Sequence, residues 1–217
     1  MTEPTRGAQD TPGAPDTPPT VQLSDPRALR AYAHPTRMAL VGLLRREGPL
    51  TATRAAELLG ESVAGCSFHL RQLAKYGLVE EAGGGRGREK PWRATALFTA
   101  WDTASPDPAT AEAAGALQRV VVERYAELAA RWLEAQRGES AAWQRAAGVG
   151  DTVLHLTAEE LAELGARMDE LTRPYLERLG RPDARPPDSR PVLLVRMALP
   201  TDTAAPGRGG AEAGPTP

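Results

Sequence analysis

One short stretch of the sequence limits the fold more than any other. It holds a small residue, a glycine and a small apolar residue at fixed spacing across two consecutive amphipathic segments. Ala56 lies four residues before Gly60, and Cys66 lies six residues after it. Where two helices cross at a tight turn, a small residue lies at the contact, glycine permits the turn, and an apolar residue anchors the second helix. The spacing therefore predicts a helix-turn-helix unit, in which Thr51 and Ser62 are the N-caps.

Two more helices are predicted before this unit and a β-hairpin after it. Asp25-Pro26 begins a short helix through Ala33, and His34-Pro35 restarts a helix that Gly48-Pro49 ends. The helix that Ser62 caps continues to about Tyr76. Leu78–Glu81 and Trp92–Thr95 are predicted strands around a loop rich in glycine and arginine, which is too long for a tight turn. Such a hairpin is typical of a wing.

A long helix is predicted downstream, from Pro108 to Arg137, with apolar residues every three or four positions. Such a stripe requires a packing partner. Farther along, Thr152–Leu156 is a predicted strand, Thr157 and Glu160 form a capping box for a helix to Leu179, and Val192–Leu199 is a predicted second strand. Together these make a β-α-β segment.

Two interpretations of the C-terminal portion remain open. In the one we favour, the β-α-β segment packs against the helix from Pro108 to Arg137 and enlarges a dimer interface, because striped Leu and Met residues usually form a core. In the other, it forms a pocket for a small apolar or aromatic effector. The first candidates for the lining of that pocket are Trp132, Trp143, Met168 and Tyr175.

Composition and charge restrict the classes of protein that are compatible with the sequence. We expect a cytoplasmic protein, because no apolar run is long enough to cross a membrane and the N-terminus lacks the order of a secretory signal. One cysteine and three histidines leave little for a disulfide framework or a zinc site. The net charge is -2, but residues 26–96 carry twelve basic and six acidic residues. A local excess of positive charge is what a phosphate-binding surface needs.

The helix predicted from Ser62 has two different faces. Cys66, Leu70 and Leu73 share one side and should pack on the preceding helices. The other side carries cations for phosphates, a hydroxyl for a base edge, and apolar groups that can touch a thymine methyl; His69 borders it. Cations on or beside the hairpin can reach flanking phosphates or a minor groove. The candidate DNA-binding residues from this reasoning are Ala64, Ser67, Phe68, His69, Arg71, Lys75, Arg86, Arg88, Lys90 and Arg93.

Two stretches resemble the arsenical-repressor (ArsR-type) family of winged helix-turn-helix transcription factors. One is Leu-Arg-Ala-Tyr-Ala-His-Pro-Thr-Arg at Leu29–Arg37, followed by an apolar helix; the other is Ser-Val-Ala-Gly-Cys-Ser-Phe-His-Leu-Arg-Gln-Leu-Ala-Lys-Tyr-Gly-Leu-Val at Ser62–Val79. The resemblance covers roughly residues 25–97. It implies a cytoplasmic homodimer that binds a pseudo-palindromic DNA operator and usually represses nearby genes. The residues that match the DNA-reading stretch of the family are Ser62, Val63, Ser67, His69 and Arg71.

The sequence departs from the family at the usual metal-sensing positions. Metal-sensing members place cysteines in the first helix of the turn motif, or Asp and His ligands on a C-terminal dimer helix. Thr51–Leu59 contains no cysteine, and Pro108–Arg137 contains no histidine. Cys66 and His69 lie three residues apart, but two ligands are too few for a site, so no metal or other cofactor is predicted. Cys66 is better explained as a small apolar residue than as a redox switch.

The sequence predicts a DNA-binding transcriptional regulator rather than an enzyme. It has no nucleophile–base pair in a known context, no phosphate-binding glycine loop that opens a helix, and no two histidines four apart. The alternative is a winged-helix adaptor that binds another protein and touches DNA weakly or not at all, because a fold does not decide function. The basic outward face and the arginine-rich wing favour the regulator, since an adaptor requires neither.

The expected fold class is α+β. It comprises a mainly helical winged helix-turn-helix domain with a β-hairpin wing, then a long dimerisation helix and a β-α-β C-terminal segment. The expected boundaries are a disordered tail over 1–24, the DNA-binding domain over 25–97, the dimerisation region over 108–200 and a second disordered tail over 201–217. If the long helix forms the dimer interface, its interface residues are Leu117, Val120, Val121, Leu128 and Trp132.

Overall fold

The computed structural model describes residues 19–84, 90–179 and 181–201. Within them the helices are α1 (Pro26–Tyr32), α2 (Pro35–Glu47), α3 (Ala52–Leu59), α4 (Val63–Lys75), α5 (Pro108–Ala135), α6 (Ala141–Ala146) and α7 (Ala158–Leu176). The strands are β1 (Thr20–Leu23), β2 (Val79–Glu81), β3 (Trp92–Ala94) and β4 (Phe98–Trp101). Short 3-10 turns cover Gln136–Gly138 and Pro182–Ala184. The described residues contain no helix long and apolar enough to cross a membrane.

Side-chain caps begin the helices where the sequence predicted them. Asp25 accepts from the Arg27 backbone N–H at 2.8 Å, and Ser62 Oγ accepts from Gly65 N–H at 3.0 Å. Thr157 and Glu160 form both hydrogen bonds of the predicted capping box. Each cap satisfies a backbone donor that the first helical turn cannot pair internally, so the local sequence is sufficient to place these helix starts.

The first four helices and the hairpin share one apolar core. From α2 it contains Leu40, Val41, Leu43 and Leu44, all at most 2% exposed, and from β2 it contains Val79. β2 and β3 pair antiparallel, as predicted for a wing. Leu50 and Trp92 exchange both backbone hydrogen bonds, at 2.9 and 2.8 Å. This bridge adds the segment between α2 and α3 to the edge of the hairpin and so fixes the base of the wing to the helical core.

The N-terminal boundary differs from the prediction. Residues 1–24 were expected to be disordered, but Thr20–Leu23 forms β1 and pairs in parallel with β4, which was not predicted. Leu23 is 3% exposed and belongs to the core. Arg45 of α2 supports the same sheet, because its Nε donates to the Ala96 carbonyl at 2.9 Å and its Nη2 to Thr99 Oγ1 at 2.7 Å. The predicted tails over 1–18 and 202–217 lie outside the described residues.

The long helix packs first within its own chain. α5 lies against α1, and Leu117 is fully buried there together with Ala113 and Ala114. Val120 and Val121 pack on the same core and are partly buried, whereas Leu128 and Trp132 lie farther along the helix and are half-buried. The partner that this stripe requires is therefore α1 over its first half, and Leu117 is not available to a second chain.

The β-α-β segment that the sequence predicted does not form. The helix is present as α7, but Thr152–Leu156 and Val192–Leu199 have no regular secondary structure and no backbone pairing in the described chain. A strand exists only where a second strand satisfies its backbone, and the apolar pattern of one segment does not show whether that neighbour exists. Two arginines link residues 185–190 to the rest of the protein: Arg185 Nη2 donates to the Arg46 carbonyl at 2.6 Å, and Arg190 makes a bidentate pair with Glu139 at 2.8 Å.

Candidate nucleic-acid interface

The fold holds α4 with one face buried and the other exposed. Cys66, Leu70 and Leu73 are each 0% exposed and pack on α2 and α3. Gly60 adopts a left-handed conformation with φ of 68°, which is the sharp turn that the Ala56, Gly60 and Cys66 spacing predicted. A Cβ on Gly65 would lie 2.9 Å from Ser62 Oγ, so glycine leaves room for the cap at the start of α4.

The exposed face of α4 carries the side chains predicted to contact DNA. Val63 is 47% and Phe68 is 50% exposed, while Ser62, Ala64, Arg71 and Lys75 are also exposed and Ser67 is half-buried. An exposed phenylalanine is unusual on a helix whose opposite face belongs to a core. No ion pair involves Arg71 or Lys75 within the described part of the chain. Lys75 Nζ lies 5.6 Å from the centroid of the Tyr76 ring.

A groove of about 320 Å³ lies between α4, the start of α3 and the hairpin. Val63, Ser67 and Arg71 form one wall at successive turns of α4, and Lys90 and Glu81 form the other. Trp92 and the first residues of α3, from Thr51 to Thr53, complete it. Two cations, Arg71 and Lys90, border this groove. The start of α3 borders it too, and backbone N–H groups at a helix start favour an anion.

The hairpin cations are paired with carboxylates that the sequence reasoning did not consider. Lys90 Nζ lies 2.8 Å from Glu81 Oε2, and Arg93 Nη2 lies 2.7 Å from Glu80 Oε1. All four side chains are about half exposed, so each pair contributes little to stability and a phosphate can compete for the cation. Arg86 and Arg88, the two other hairpin candidates, lie outside the described residues.

His69 is turned toward α2 rather than outward. Its ring centroid lies 4.7 Å from that of His34 and 5.4 Å from that of Phe68, and its Nδ1 is buried without a hydrogen-bond partner among the described residues. His34 Nδ1 accepts from the Thr36 N–H at 3.2 Å and so caps α2. Burial, and then the nearby Arg37 guanidinium, hold the pKa of both histidines below the ordinary value. His69 therefore supports the position of α4 instead of lying on its outer face.

Cys66 occupies the apolar position that its spacing predicted. It is fully buried, and burial, with a smaller contribution from Glu61, raises the pKa of its thiol. A protonated, inaccessible thiol is a poor nucleophile and a poor metal ligand. No group of three or more potential His, Cys, Asp or Glu ligands occurs among the residues that the structure describes.

The sequence reasoning missed the start of α3, Trp92 and the two wing carboxylates as parts of the site. Thr51 was identified as a cap, and a helix start that faces a basic groove could have been added on that ground. Glu80 and Glu81 alternate along β2 opposite Arg93 and the region of Lys90, so cross-strand charge pairing was the available signal. The position of Trp92 depends on the bridge to Leu50, which has no local signal.

Comparison with known proteins gives a match over the same part of the chain. Residues 32–82 match the family model described as a helix-turn-helix domain. The matched range runs from the end of α1 through the hairpin strand β2, and it includes α3, the turn and α4. A search of curated proteins found no match to the chain. The chain thus contains a helix-turn-helix domain, which supports a DNA-binding transcriptional regulator.

Proposed function

We propose that the protein is a sequence-specific transcriptional regulator that reads its operator by inserting α4 into the major groove. The main support is the exposed face of α4, where Val63, Ser67 and Arg71 line a groove that Lys90 closes on the other side. A capped helix with a rigid apolar face behind it presents its outer side chains in a fixed geometry, which base reading requires. Phe68 and Ala64 offer apolar contact to a thymine methyl on the adjacent part of the surface.

The hairpin contributes phosphate contacts in this proposal. Lys90 and Arg93 exchange their Glu81 and Glu80 partners for phosphate oxygens when DNA binds. Arg86 and Arg88 belong to the same wing. Because two acidic partners must be released, the wing adds less to affinity than its number of cations implies.

The protein acts as a homodimer on a pseudo-palindromic operator, and it represses the genes beside it. The resemblance of Leu29–Arg37 and Ser62–Val79 to arsenical-repressor-type regulators supports this, as does the general agreement between two-fold proteins and inverted-repeat sites. No catalytic step is part of the proposal. Thr51–Leu59 contains no cysteine and Pro108–Arg137 no histidine, so the proposal includes no metal sensing through the usual positions of the family.

The test is selection of sheared DNA from the source genome by the purified protein, followed by sequencing and by titration of the best fragment at several salt concentrations. An inverted repeat with half-sites about one helical turn apart is the expected result. Weak, sequence-indifferent binding that disappears near physiological salt would refute the proposal and favour the protein–protein adaptor.

Two α4 variants separate positioning from base reading. Arg71→Ala should weaken binding to all sequences and lower the slope of log affinity against log salt by about one, because one phosphate contact is lost. Phe68→Ala should instead change the preferred sequence at one position and leave the slope unchanged. Arg119→Ala, at an exposed position of α5, is the matched control and should alter neither. An equal loss at every sequence for Phe68→Ala would exclude base reading by that residue.

A further inference from the structure

The C-terminal part of the chain exposes most of the apolar surface of the described protein. Of the twenty-one large apolar side chains that are exposed among the described residues, fifteen lie between residues 149 and 199. Leu171 is 74%, Tyr175 62% and Leu194 70% exposed. Monomeric proteins rarely expose so many large apolar side chains within one region of the chain, and large apolar surfaces mark contacts with a partner.

α7 shows what kind of partner its surface fits. Its apolar residues are Leu161, Leu164, Met168, Leu171 and Tyr175, whose spacing alternates between three and four. That spacing places one narrow apolar stripe along the helix, which is the arrangement that packs against a second helix. No helix or strand of the described chain packs along α7. A helix in a protein gains most of its stability from packing its apolar face, so the stripe requires a helix from elsewhere.

The segments that precede and follow α7 also lack a strand to pair with in the described chain. Residues 149–156 and 192–199 make no backbone–backbone hydrogen bond within the described chain. Arg196 holds the second segment beside the helix, through bonds of 3.0 Å to the Gly165 carbonyl and to Asp169. An apolar segment with unpaired backbone groups is a template for pairing with another strand. The helix and both segments are therefore incomplete in the same region.

The charges on α7 favour a second copy of the chain in antiparallel orientation. The first turns carry Glu159, Glu160 and Glu163, of which only Glu163 pairs with a cation of the described chain, Arg167, whereas the end beyond Glu170 carries two arginines around one acid, Glu177. Parallel pairing would place the two acidic ends side by side, but antiparallel pairing places each acidic end beside the more basic one. The acidic first turns also disfavour an anionic lipid surface.

We propose that residues 149–199 form an interface with a second copy of this chain, in which α7 packs antiparallel to the partner's α7. The proposal rests on the dimeric regulator proposed above and gives that dimer a contact outside the helix-turn-helix domain. A twofold axis uses the same surface on both copies, so one stripe and one pair of segments supply both sides. A standard stable interface takes about 800 Å² from each partner, an extent that fifteen exposed large side chains can supply.

The test is the mass of the full-length protein in solution without DNA, measured by sedimentation over a wide concentration range. The wild type should be a dimer. Leu171→Glu and, separately, Leu194→Glu should weaken the dimer at least about a hundredfold, because each buries an unpaired charge in the interface. Both residues are more than two-thirds exposed in one chain, so neither change should disturb the fold of a protomer. Ala166→Glu, on the opposite face of α7, is the matched control and should remain dimeric.

A wild type that remains monomeric, or a dimer that survives both Leu171→Glu and Leu194→Glu, would overturn the proposal. Loss of the dimer in Ala166→Glu as well would also overturn it, because the effect would then not belong to the stripe. Circular dichroism melting of each variant verifies that the helix-turn-helix domain is folded. Because the experiment contains no DNA, a wild-type dimer that fails to select an operator would refute the proposed function and leave this interface in place.

Discussion

Half-buried side chains behind α4 help to hold this helix in position. The rings of His34 and His69 contact each other at the junction of α2 and α4, 4.7 Å apart between centroids and tilted by 43°, and Arg37 adds a positive charge nearby. Arg37 is itself held by a hydrogen bond from its Nε to the Ala31 carbonyl. Two histidines and a guanidinium in one half-buried cluster favour neutral imidazoles. Protonation of either ring therefore opposes the packing that positions α4.

This cluster predicts a loss of stability in mild acid. The pKa of both histidines is lower in the folded protein than the ordinary histidine value of about 6.5. Below that pH the unfolded chain therefore binds more protons than the folded protein does. Stability is complete above that pH and falls as the pH drops through 6 toward 5. The double variant His34→Asn with His69→Gln keeps a capping acceptor at position 34 but cannot titrate there.

Thermal unfolding midpoints followed by circular dichroism from pH 7.5 to 5 measure the effect. The wild-type midpoint should fall more steeply between pH 6.5 and 5 than that of the double variant. His155→Gln, at an exposed position, is the control and should keep the wild-type profile. Parallel profiles for the double variant and the wild type would show that the histidine pair does not couple protons to folding.

The helices and strands differ in how they depend on their surroundings. α1, α3, α4 and α7 begin at capping side chains, so their starts are readable from a few adjacent residues. β2 and β3 of the wing need each other and also the Leu50–Trp92 bridge. The Lys90–Glu81 ion pair lies on the side of the hairpin that lines the groove, whereas Glu80 and Arg93, the neighbouring cross-strand pair, lie on its other face.

Removal of the Glu81 carboxylate should strengthen DNA binding. Glu81→Gln leaves Lys90 without its partner and removes a negative charge from the groove that Arg71 borders. We expect affinity to rise about threefold to tenfold and the salt slope to become steeper by up to about one, because Lys90 then binds its phosphate without leaving an unpaired carboxylate beside the DNA. Titration of a labelled operator fragment at three salt concentrations measures both quantities.

Glu112→Gln is the control for that change. Glu112 is exposed near the start of α5, so its substitution alters the net charge by the same amount away from the groove. It should leave the slope unchanged and affect affinity less. Equal gains for the two variants would attribute the effect to net charge alone, and a loss of affinity in Glu81→Gln would show that the carboxylate itself supports the wing.

The whole molecule joins segments that are far apart in the chain. β1 and β4 are separated by the entire helix-turn-helix unit and pair in parallel across it, and Arg45 binds the sheet to α2. α5 returns to pack on α1 and buries Leu117. Arg190 lies 4.4 Å from the centroid of the Trp143 ring and 5.8 Å from that of Trp132, and it connects the C-terminal segment to the end of α5. Contacts from Thr20–Leu23 and from Arg185 therefore reach the helix-turn-helix domain from distant parts of the chain.

Leu23→Ala tests whether β1 belongs to the fold. Leu23 is 3% exposed, so we expect its truncation to lower the free energy of unfolding by about 2–4 kcal/mol. Gln22→Ala changes the exposed neighbour on the same strand and should alter it by less than about 0.5 kcal/mol. Urea unfolding of both variants and the wild type measures the difference. An unchanged midpoint in Leu23→Ala would return this segment to a disordered tail.

The amino-acid sequence by itself determined the features that depend on neighbouring residues. The spacing of Ala56, Gly60 and Cys66 placed the turn, and the capping residues placed the helix starts, because a cap and a tight turn are satisfied within a few residues. The same spacing predicted which residues of α4 are buried. The remaining residues of the helix were therefore predicted to face outward. Most of the candidate site follows from this local information.

The tertiary structure decided everything that requires a distant partner. Thr20–Leu23 is a strand because β4 is beside it, whereas the more apolar Val192–Leu199 forms no strand because no strand of the described chain pairs with it. Likewise, Leu117 packs on α1, His69 turns to His34, and Lys90 pairs with Glu81. A backbone ladder, a ring contact or an ion pair forms only when the fold brings its second member within reach, and no local pattern records that distance.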